Sequence, residues 1–211
     1  MAQPVSAGPT RDPGPERPKP LLNHPFRRKK LQPRPLVIHA SAITALLAAQ
    51  PTGASLASGL PLVAAGQALR LWAAGHLRKT DELTVTGPYA HLRHPLYAGA
   101  FALGCGYAIA AGLQVAAVAL PLGFAFFFLY YLPRKERIET DRLAAAHGPA
   151  YRAYRMHVRA LVPRWAPWPP AVRVERASAR WSTARVRGND EQSTLAWVLV
   201  ASLALVAKWL L

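Results

Sequence analysis

Apolar and charged residues occupy separate stretches of the chain. No Asp, Glu, Lys or Arg occurs between Arg34 and Arg70, and none occurs over residues 94–133. A charge-free run of that length is too long for one buried helix and suits two membrane crossings of about 20 residues each. The pattern therefore predicts an all-α integral membrane protein with about five transmembrane helices, at residues 36–50, 56–77, 96–112, 114–132 and 195–211.

The charge distribution predicts which side of the membrane each loop faces. The 211 residues include 26 Lys and Arg against 10 Asp and Glu, and the cations fall mainly within residues 1–35, 70–93 and 134–191. The predicted spans place these three blocks on one side, and loops rich in Lys and Arg stay in the cytosol. We therefore expect a multi-pass protein of the inner (cytoplasmic) membrane with a cytosolic N-terminus. An ordinary soluble globular protein is excluded.

The composition divides the chain into four regions. Residues 1–35 read as a disordered, basic, Pro-rich tail without a signal peptide, 36–165 as the transmembrane core, 166–194 as a basic amphipathic linker and 195–211 as a C-terminal span. Beside a membrane, the basic run in the tail favours anionic lipid headgroups over nucleic acid as its partner. The oligomeric state is left open.

Side chains that can do chemistry concentrate in the loop before the third predicted span. Arg93 and His94 precede Pro95, which suits the first turn of a helix. The free N–H groups of that helix start, with Arg93 beside them, form a natural anion site. Taken singly, Arg93, His94, Tyr89 and Tyr97 are also typical of interface anchors, and that interpretation stays open.

A second polar cluster follows the fourth predicted span directly. Glu139 lies four residues after Lys135, so on a helix the two side chains can pair or reach one ligand together. A solvated charged helix with an ordinary ion pair explains the same spacing, and the spacing alone slightly favours it.

Several short motifs follow one another over residues 66–165. They are Gly87-Pro88-Tyr89, Arg93-His94-Pro95-x-Tyr97, the acidic site at Glu139, His147-Gly148-x-x-Tyr151-x-x-Tyr154 and Val162-Pro163. Each piece would be weak alone, but their order and spacing together resemble the isoprenylcysteine carboxyl methyltransferase and phospholipid methyltransferase superfamily.

The resemblance implies an integral membrane enzyme that uses S-adenosyl-L-methionine. It places the cofactor site on the cytosolic side, between the loop before span 3 and the helix after span 4. It implies transfer of a methyl group to a membrane-embedded lipid-like or prenylated acceptor. The catalytic residues implied are Lys135, Arg93 and His94, and no metal site is expected. The cofactor-binding residues implied are Asp81, Glu82, Leu83, Thr84, Tyr89, His94, Pro95, Leu96, Tyr97 and Glu139.

The chain departs from the family pattern at two positions. Where the family has a second glutamate, the chain has Thr140, with Asp141 one place later. Where the family has an arginine one turn before the first glutamate, the chain has Lys135, which offers a point charge instead of a planar fork. The identity of the acceptor is therefore left open.

The chemistry of the cofactor gives independent support for such a site. S-adenosylmethionine carries an ammonium, a carboxylate and a sulfonium, which call for an acid, a cation or N–H cluster, and aromatic rings. Glu139, Arg93 with the helix start, and the two tyrosines at 89 and 97 supply these groups. Methylation of a carboxylate needs no base and is favoured, whereas an amine acceptor needs one, for which His91 or His94 is nearest.

Two alternatives from other classes remain. Membrane reductases that use NADPH have a similar C-terminal architecture, so a nicotinamide cofactor is the first. A non-catalytic protein that binds anionic lipid through its basic surfaces is the second, and Thr140 in place of a glutamate is the observation that favours it.

Overall fold

The computed structural model describes residues 43–78, 82–169 and 180–211. Within these residues the regular structure is helical and no strand occurs, which confirms the predicted all-α class. A short helical segment covers residues 43–48. The main helices are α1 (Gly53–His76), α2 (Pro95–Ala110), α3 (Leu113–Ala125), α4 (Leu132–His157), α5 (Thr183–Gly188) and α6 (Glu191–Leu210). A 3₁₀ turn at Gly87–Ala90 precedes α2, and a π-helical segment at Phe126–Tyr131 joins α3 to α4.

Two helical stretches of the described residues are long and apolar enough to cross a membrane. One is the continuous stretch Leu113–His157, which contains α3, the π-helical segment and α4, and the other is α6. In the most apolar window of each stretch hardly any residue is buried, as expected of surfaces that face lipid. The helix α2 is also apolar but shorter, with 16 residues. Residues 36–42 of the predicted first span lie outside the described residues.

The helix boundaries follow local capping chemistry. A capping box starts α1, because the Thr52 hydroxyl accepts from the Ser55 N–H at 3.1 Å and the Ser55 hydroxyl accepts from the Thr52 N–H at 2.9 Å. His94 is the N-cap of α2 and Pro95 its first residue, as the sequence predicts. Helix α6 begins at Glu191, four residues before the predicted span.

Small residues let α1 and α2 approach closely. A Cβ atom added at Gly59 would come within 2.5 Å of the Gly106 carbonyl oxygen, and one at Gly66 within 2.8 Å of the Gly99 carbonyl oxygen. Such stripes of small residues are typical of helix pairs in membranes, where close van der Waals packing replaces the hydrophobic effect. The two helices therefore form one rigid support for the loop between them.

A sharp turn inside α4 brings its last residues back toward α2. Gly148 adopts φ 47° and ψ −117°, a conformation that residues with a Cβ rarely adopt, and Pro149 follows it. Beyond this turn, Tyr151, Tyr154 and Val158 are buried together with Val85 of the loop before α2. The turn thus packs the end of α4 against the loop before α2.

The C-terminal region is tied to α1 and α2 by polar contacts. Arg70 of α1 forms a two-point ion pair with the buried Glu191, with Nε to Oε1 at 2.6 Å and Nη2 to Oε2 at 2.9 Å. Its Nη1 donates to the Leu96 carbonyl at 3.3 Å. The Asn189 amide donates to the Ala74 carbonyl at 2.8 Å. Residues 180–194 of the predicted linker therefore form α5 and the start of α6 and pack against α1. Residues 170–179 lie outside the described residues.

Candidate functional site

A cavity of about 370 Å³ lies between the loop before α2 and the polar part of α4. Its volume falls within the usual range for small-molecule and cofactor sites. The predicted site residues that line it are Glu82, Leu83, Thr84, Tyr89, Arg93, His94, Pro95, Leu96, Tyr97 and Glu139. Asp81 lies outside the described residues, and Lys135 does not line the cavity. The structure thus brings together residues that lie more than forty positions apart in the sequence.

Glu139 is the acid at the centre of the contacts in this cavity. Its Oε2 lies 3.3 Å from His94 Nδ1, and its Oε1 accepts a hydrogen bond from the Tyr97 hydroxyl. The rings of His94 and Tyr97 stack with centroids 5.3 Å apart, because both residues belong to the first turn of α2. Helix α4 therefore presents one carboxylate to two donors from the start of α2.

These contacts keep the Glu139 carboxyl ionised. Burial by itself raises a carboxyl pKa. Hydrogen bonds from His94 and Tyr97, together with the charges of His94 and Lys135, outweigh burial and hold the pKa of Glu139 below its ordinary value. A carboxylate has about four acceptor positions, so it can bind a further cationic group beside these two donors.

Arg93 places unused donors at the cavity. Its Nη2 donates to Glu136 Oε1 at 2.6 Å, and its side chain is 10% exposed. Its Nε and Nη1 are buried and have no hydrogen-bond partner among the described residues. Nε2 of the buried His94 also has no hydrogen-bond partner among the described residues. Buried guanidinium donors are normally paired, so the two free donors of Arg93 suit an anion.

A strap, which we define as residues 158–168, fixes the backbone of the site. The backbone N–H groups of Arg93 and His94 donate to the carbonyls of Arg159 and Ala160 at 2.9 and 3.0 Å. Further along the strap, the N–H of Arg164 donates to the His91 carbonyl at 2.9 Å. The residues before α2 are therefore held in place by the chain that follows the turn at Gly148.

Sequence reasoning missed part of the cavity wall. Tyr154 donates from its hydroxyl to the Tyr89 carbonyl at 2.8 Å, and the Tyr151 hydroxyl lies 3.1 Å from Thr140 Oγ1. Burial raises the pKa of both Tyr154 and Tyr89, so these hydroxyls stay protonated. The Gly-x-x-Tyr-x-x-Tyr motif indicates the two tyrosines but not their position. The remaining unpredicted lining residues are Leu77, Arg78, Arg142, Leu143, Ala146 and His147.

Lys135 does not line the cavity. Its side chain is exposed, and its Nζ lies 5.9 Å from the centroid of the Tyr131 ring. No ion pair between Lys135 and Glu139 occurs within 4.0 Å in the described residues, although the charge of Lys135 lowers the pKa of Glu139. Lys135 therefore faces a different neighbourhood from the predicted cofactor residues.

An apolar groove lies between α2, α3 and the aromatic run that follows α3, and Tyr131, the ring beneath Lys135, is one of its lining residues. The groove measures about 260 Å³. The Tyr131 ring at its end packs edge-on against Tyr97, with centroids 5.6 Å apart. Its other lining residues are Ala100, Phe101, Gly104, Cys105, Ala119, Leu120, Gly123, Phe124, Phe126 and Phe127. Because Tyr97 also lines the polar cavity, the pair Tyr97 and Tyr131 connects the two spaces.

His91, the other candidate base, is engaged elsewhere. Its Nδ1 lies 2.8 Å from the Arg164 carbonyl oxygen, and its ring packs against Trp72. It does not line the cavity. Of the two histidines considered from the sequence, only His94 has a ring nitrogen beside Glu139.

Comparison with known proteins gives one partial relative. The nickel-cobalt-cadmium resistance protein NccN of Alcaligenes xylosoxydans xylosoxydans is 37% identical over 99 residues. The matched segment is 45% of this chain and 43% of NccN, so the chain spans less than half of that relative's length. No family model matches the chain, and no solved structure matches it.

Proposed function

We propose that the protein is an S-adenosyl-L-methionine-dependent methyltransferase that acts on a membrane-embedded lipid-like or prenylated acceptor. The observation that carries the proposal is the cavity in which Glu139, Arg93, His94, Tyr89 and Tyr97 meet. The resemblance to the isoprenylcysteine carboxyl methyltransferase superfamily names the same five residues.

The charged and aromatic side chains of the cavity fit the chemical groups of the cofactor. Glu139 is an ionised acid for the ammonium, and the unpartnered Nε and Nη1 of Arg93 are donors for the carboxylate. Tyr89 and Tyr97 supply aromatic surface for the sulfonium. Glu139 and Arg93 supply opposite charges and Tyr89 and Tyr97 supply rings, as a zwitterion with an added cation requires.

S-adenosylmethionine supplies an activated methyl group with an excellent leaving group. The residues of the chain then have to orient the reactants and exclude water, and acid–base chemistry is secondary. The strap and the turn at Gly148 serve this purpose, because they hold Arg93, His94 and Tyr154 by backbone and hydroxyl contacts. For an amine acceptor, His94 is better placed than His91 to take a proton, since its Nε2 is unpaired among the described residues.

The apolar groove gives the acceptor chain a place beside the cavity. Its walls are apolar and aromatic apart from Cys105 and the Tyr131 hydroxyl, and it adjoins the cavity at Tyr97. Lys135 stands over Tyr131 at this end, where it can hold a carboxylate of the acceptor. This arrangement favours O-methylation of a carboxylate.

The proposed function includes the finer membrane topology. We infer five spans in the inner membrane, with the N-terminus and the cavity in the cytosol. The two apolar helical stretches, the apolar helix α2 and the one-sided basic blocks support this arrangement. The water-soluble cofactor then enters from the cytosol and the acceptor from the bilayer.

The name of the partial relative suggests a cellular context. NccN is named for resistance to nickel, cobalt and cadmium. Methylation of a carboxylate removes a negative charge, and fewer anions at a membrane surface attract divalent cations less. We propose that the chain contributes to metal tolerance in this way. Cells with Glu139→Gln are then expected to be as sensitive to nickel as cells that lack the protein.

A methyl-transfer assay tests the proposed function. Membranes that contain the protein are incubated with S-adenosylmethionine carrying a tritiated methyl group, and lipids are extracted. We expect label in the lipid fraction that alkali releases, because carboxyl methyl esters are cleaved by alkali and N-methyl groups are not. Label stable to alkali would indicate an amine acceptor. Binding of NADPH without any methyl transfer would favour the reductase alternative.

A further inference from the structure

The strap and the end of α4 expose cations and large apolar side chains together. Residues 142–169 contain five Arg and no Asp or Glu. Trp165 is fully exposed, Met156 is 78% exposed and Val162 is 55% exposed. An exposed apolar patch rimmed by polar residues marks a protein-interaction or membrane-interaction site.

Three of the exposed side chains lie close together at the end of α4. Arg152, Arg155 and Met156 occupy positions i, i+3 and i+4 of α4, so they are neighbours on one face of the helix. The opposite part of this helical turn buries Tyr151 and Tyr154. We call the exposed set, formed by Arg152, Arg155, Met156, Arg159, Val162 and Trp165, the basic surface.

The backbone fixes the position of the basic surface relative to α2. Arg159 and Ala160 accept hydrogen bonds from the backbone N–H groups of Arg93 and His94, directly before the first residue of α2. In the proposed topology, this is where an apolar helix enters the membrane. The strap therefore lies at the depth of the cytosolic headgroups.

We propose that the basic surface docks on anionic lipid headgroups beside the mouth of the cavity. The three arginines of the basic surface complement a negative surface, and each contributes attraction at short range. Trp165, Met156 and Val162 suit the boundary between headgroups and acyl chains, where Trp is enriched. The inference rests on the proposed membrane placement, but it requires neither methyl transfer nor a particular cofactor.

Docking has a consequence for the site. The same strap residues that face the headgroups hold Arg93 and His94 through their carbonyls. Anionic lipid thereby holds the strap, and with it the first turn of α2, in one arrangement. The basic surface therefore links lipid binding to the arrangement of the cavity wall.

A fluorescence measurement in nanodiscs tests this proposal. The full-length chain with Cys105→Ala and Trp165→Cys is labelled with an environment-sensitive fluorophore at position 165. It is then placed in discs of phosphatidylcholine alone or with phosphatidylglycerol. We expect a blue shift and protection from iodide quenching only in the anionic discs, and both effects should weaken as salt is raised.

Charge reversal provides the matched comparison. Each Arg near an anionic surface favours the docked state by a factor of about five, so Arg152→Glu with Arg159→Glu should lower the docked-to-undocked ratio at least about 25-fold. The control is Arg180→Glu with Arg187→Glu, which changes the charge equally at exposed positions outside the strap. It should leave the signal at position 165 unchanged.

Two outcomes would overturn the proposal. One is the same emission at position 165 in neutral and anionic discs. The other is an equal loss of signal in the two double variants, which would show a response to net charge only. Because S-adenosylhomocysteine is absent from the measurement, these outcomes are independent of whether the protein is a methyltransferase. Monodisperse elution of each variant confirms that it is folded.

Discussion

Glu139 of α4 and His94 at the start of α2 are in contact at the wall of the polar cavity, with 3.3 Å between Oε2 and Nδ1. They lie forty-five positions apart in the sequence. The contact joins the two motif regions that the resemblance singles out. It also defines which His94 nitrogen stays free, because Nδ1 faces the carboxylate and Nε2 has no partner among the described residues.

The first prediction concerns the fork of Arg93. Arg93→Lys keeps the positive charge but removes the Nε and Nη1 donors that have no partner within the described part of the chain. We expect about tenfold weaker binding of S-adenosylhomocysteine, the value of one hydrogen bond to a charged group. Glu136→Gln keeps the Arg93 guanidinium and alters only the partner of its Nη2, so it should weaken binding less. Equal affinities of wild type and Arg93→Lys would assign Arg93 to a structural role.

The second prediction separates cofactor from acceptor at Lys135. This side chain is exposed above Tyr131 and does not line the cavity. Lys135→Ala should slow methyl transfer and leave the dissociation constant of S-adenosylhomocysteine nearly unchanged. Lys135→Arg should be tolerated or faster with a carboxylate acceptor, because the guanidinium adds a second contact. Assays with lipid acids and lipid amines check both variants. A parallel loss of cofactor affinity in Lys135→Ala would place Lys135 in the cofactor site.

The third prediction is the pH dependence of stability. The pKa of Glu139 in the folded protein lies below its ordinary value of 4.5. Its ionised form therefore stabilises the fold fully above pH 4.5, and this contribution is lost as the pH falls through the lowered pKa. The melting temperature of wild type in detergent should fall more steeply below pH 4.5 than that of Glu139→Gln. Parallel curves for the two proteins would mean that the ionised form of Glu139 is not favoured by folding.

The fourth prediction concerns the turn at Gly148. Gly148→Ala forces a Cβ onto a residue with φ 47° and ψ −117°, which costs about 1–3 kcal/mol of stability. It should also weaken S-adenosylhomocysteine binding, since the turn positions Tyr151 and Tyr154 at the cavity. Gly104→Ala is the control, because a Cβ there meets no atom of the described residues within 4 Å. Thermal unfolding and binding are measured on both variants. If Gly148→Ala behaved like Gly104→Ala in both measurements, the structural role assigned to this turn would be wrong.

The sequence predicts the helical class well because charge segregation alone determines which segments can face lipid. Helices α2 and α3 begin within one residue of the predicted spans, since Pro95 and Gly112 mark their starts. The pair Arg93 and Glu136 was not predictable, because it depends on the register between two helices that are distant in sequence. The position of Tyr154 depends on one positive φ value at Gly148, which a motif does not reveal. The earlier start of α6 reflects the pairing of Glu191 with Arg70, a tertiary contact.

The measurement closest to the central claim is calorimetric titration of the detergent-purified protein with S-adenosylhomocysteine. We predict saturable binding by wild type. Glu139→Gln removes the acid for the ligand's ammonium, which costs roughly 1.5–3 kcal/mol, or about ten- to a hundredfold in affinity. Asp141→Asn, which changes an exposed acid outside the cavity, should bind like wild type. No binding by the folded wild type, or equal affinities of wild type and Glu139→Gln, would contradict a cofactor site at Glu139.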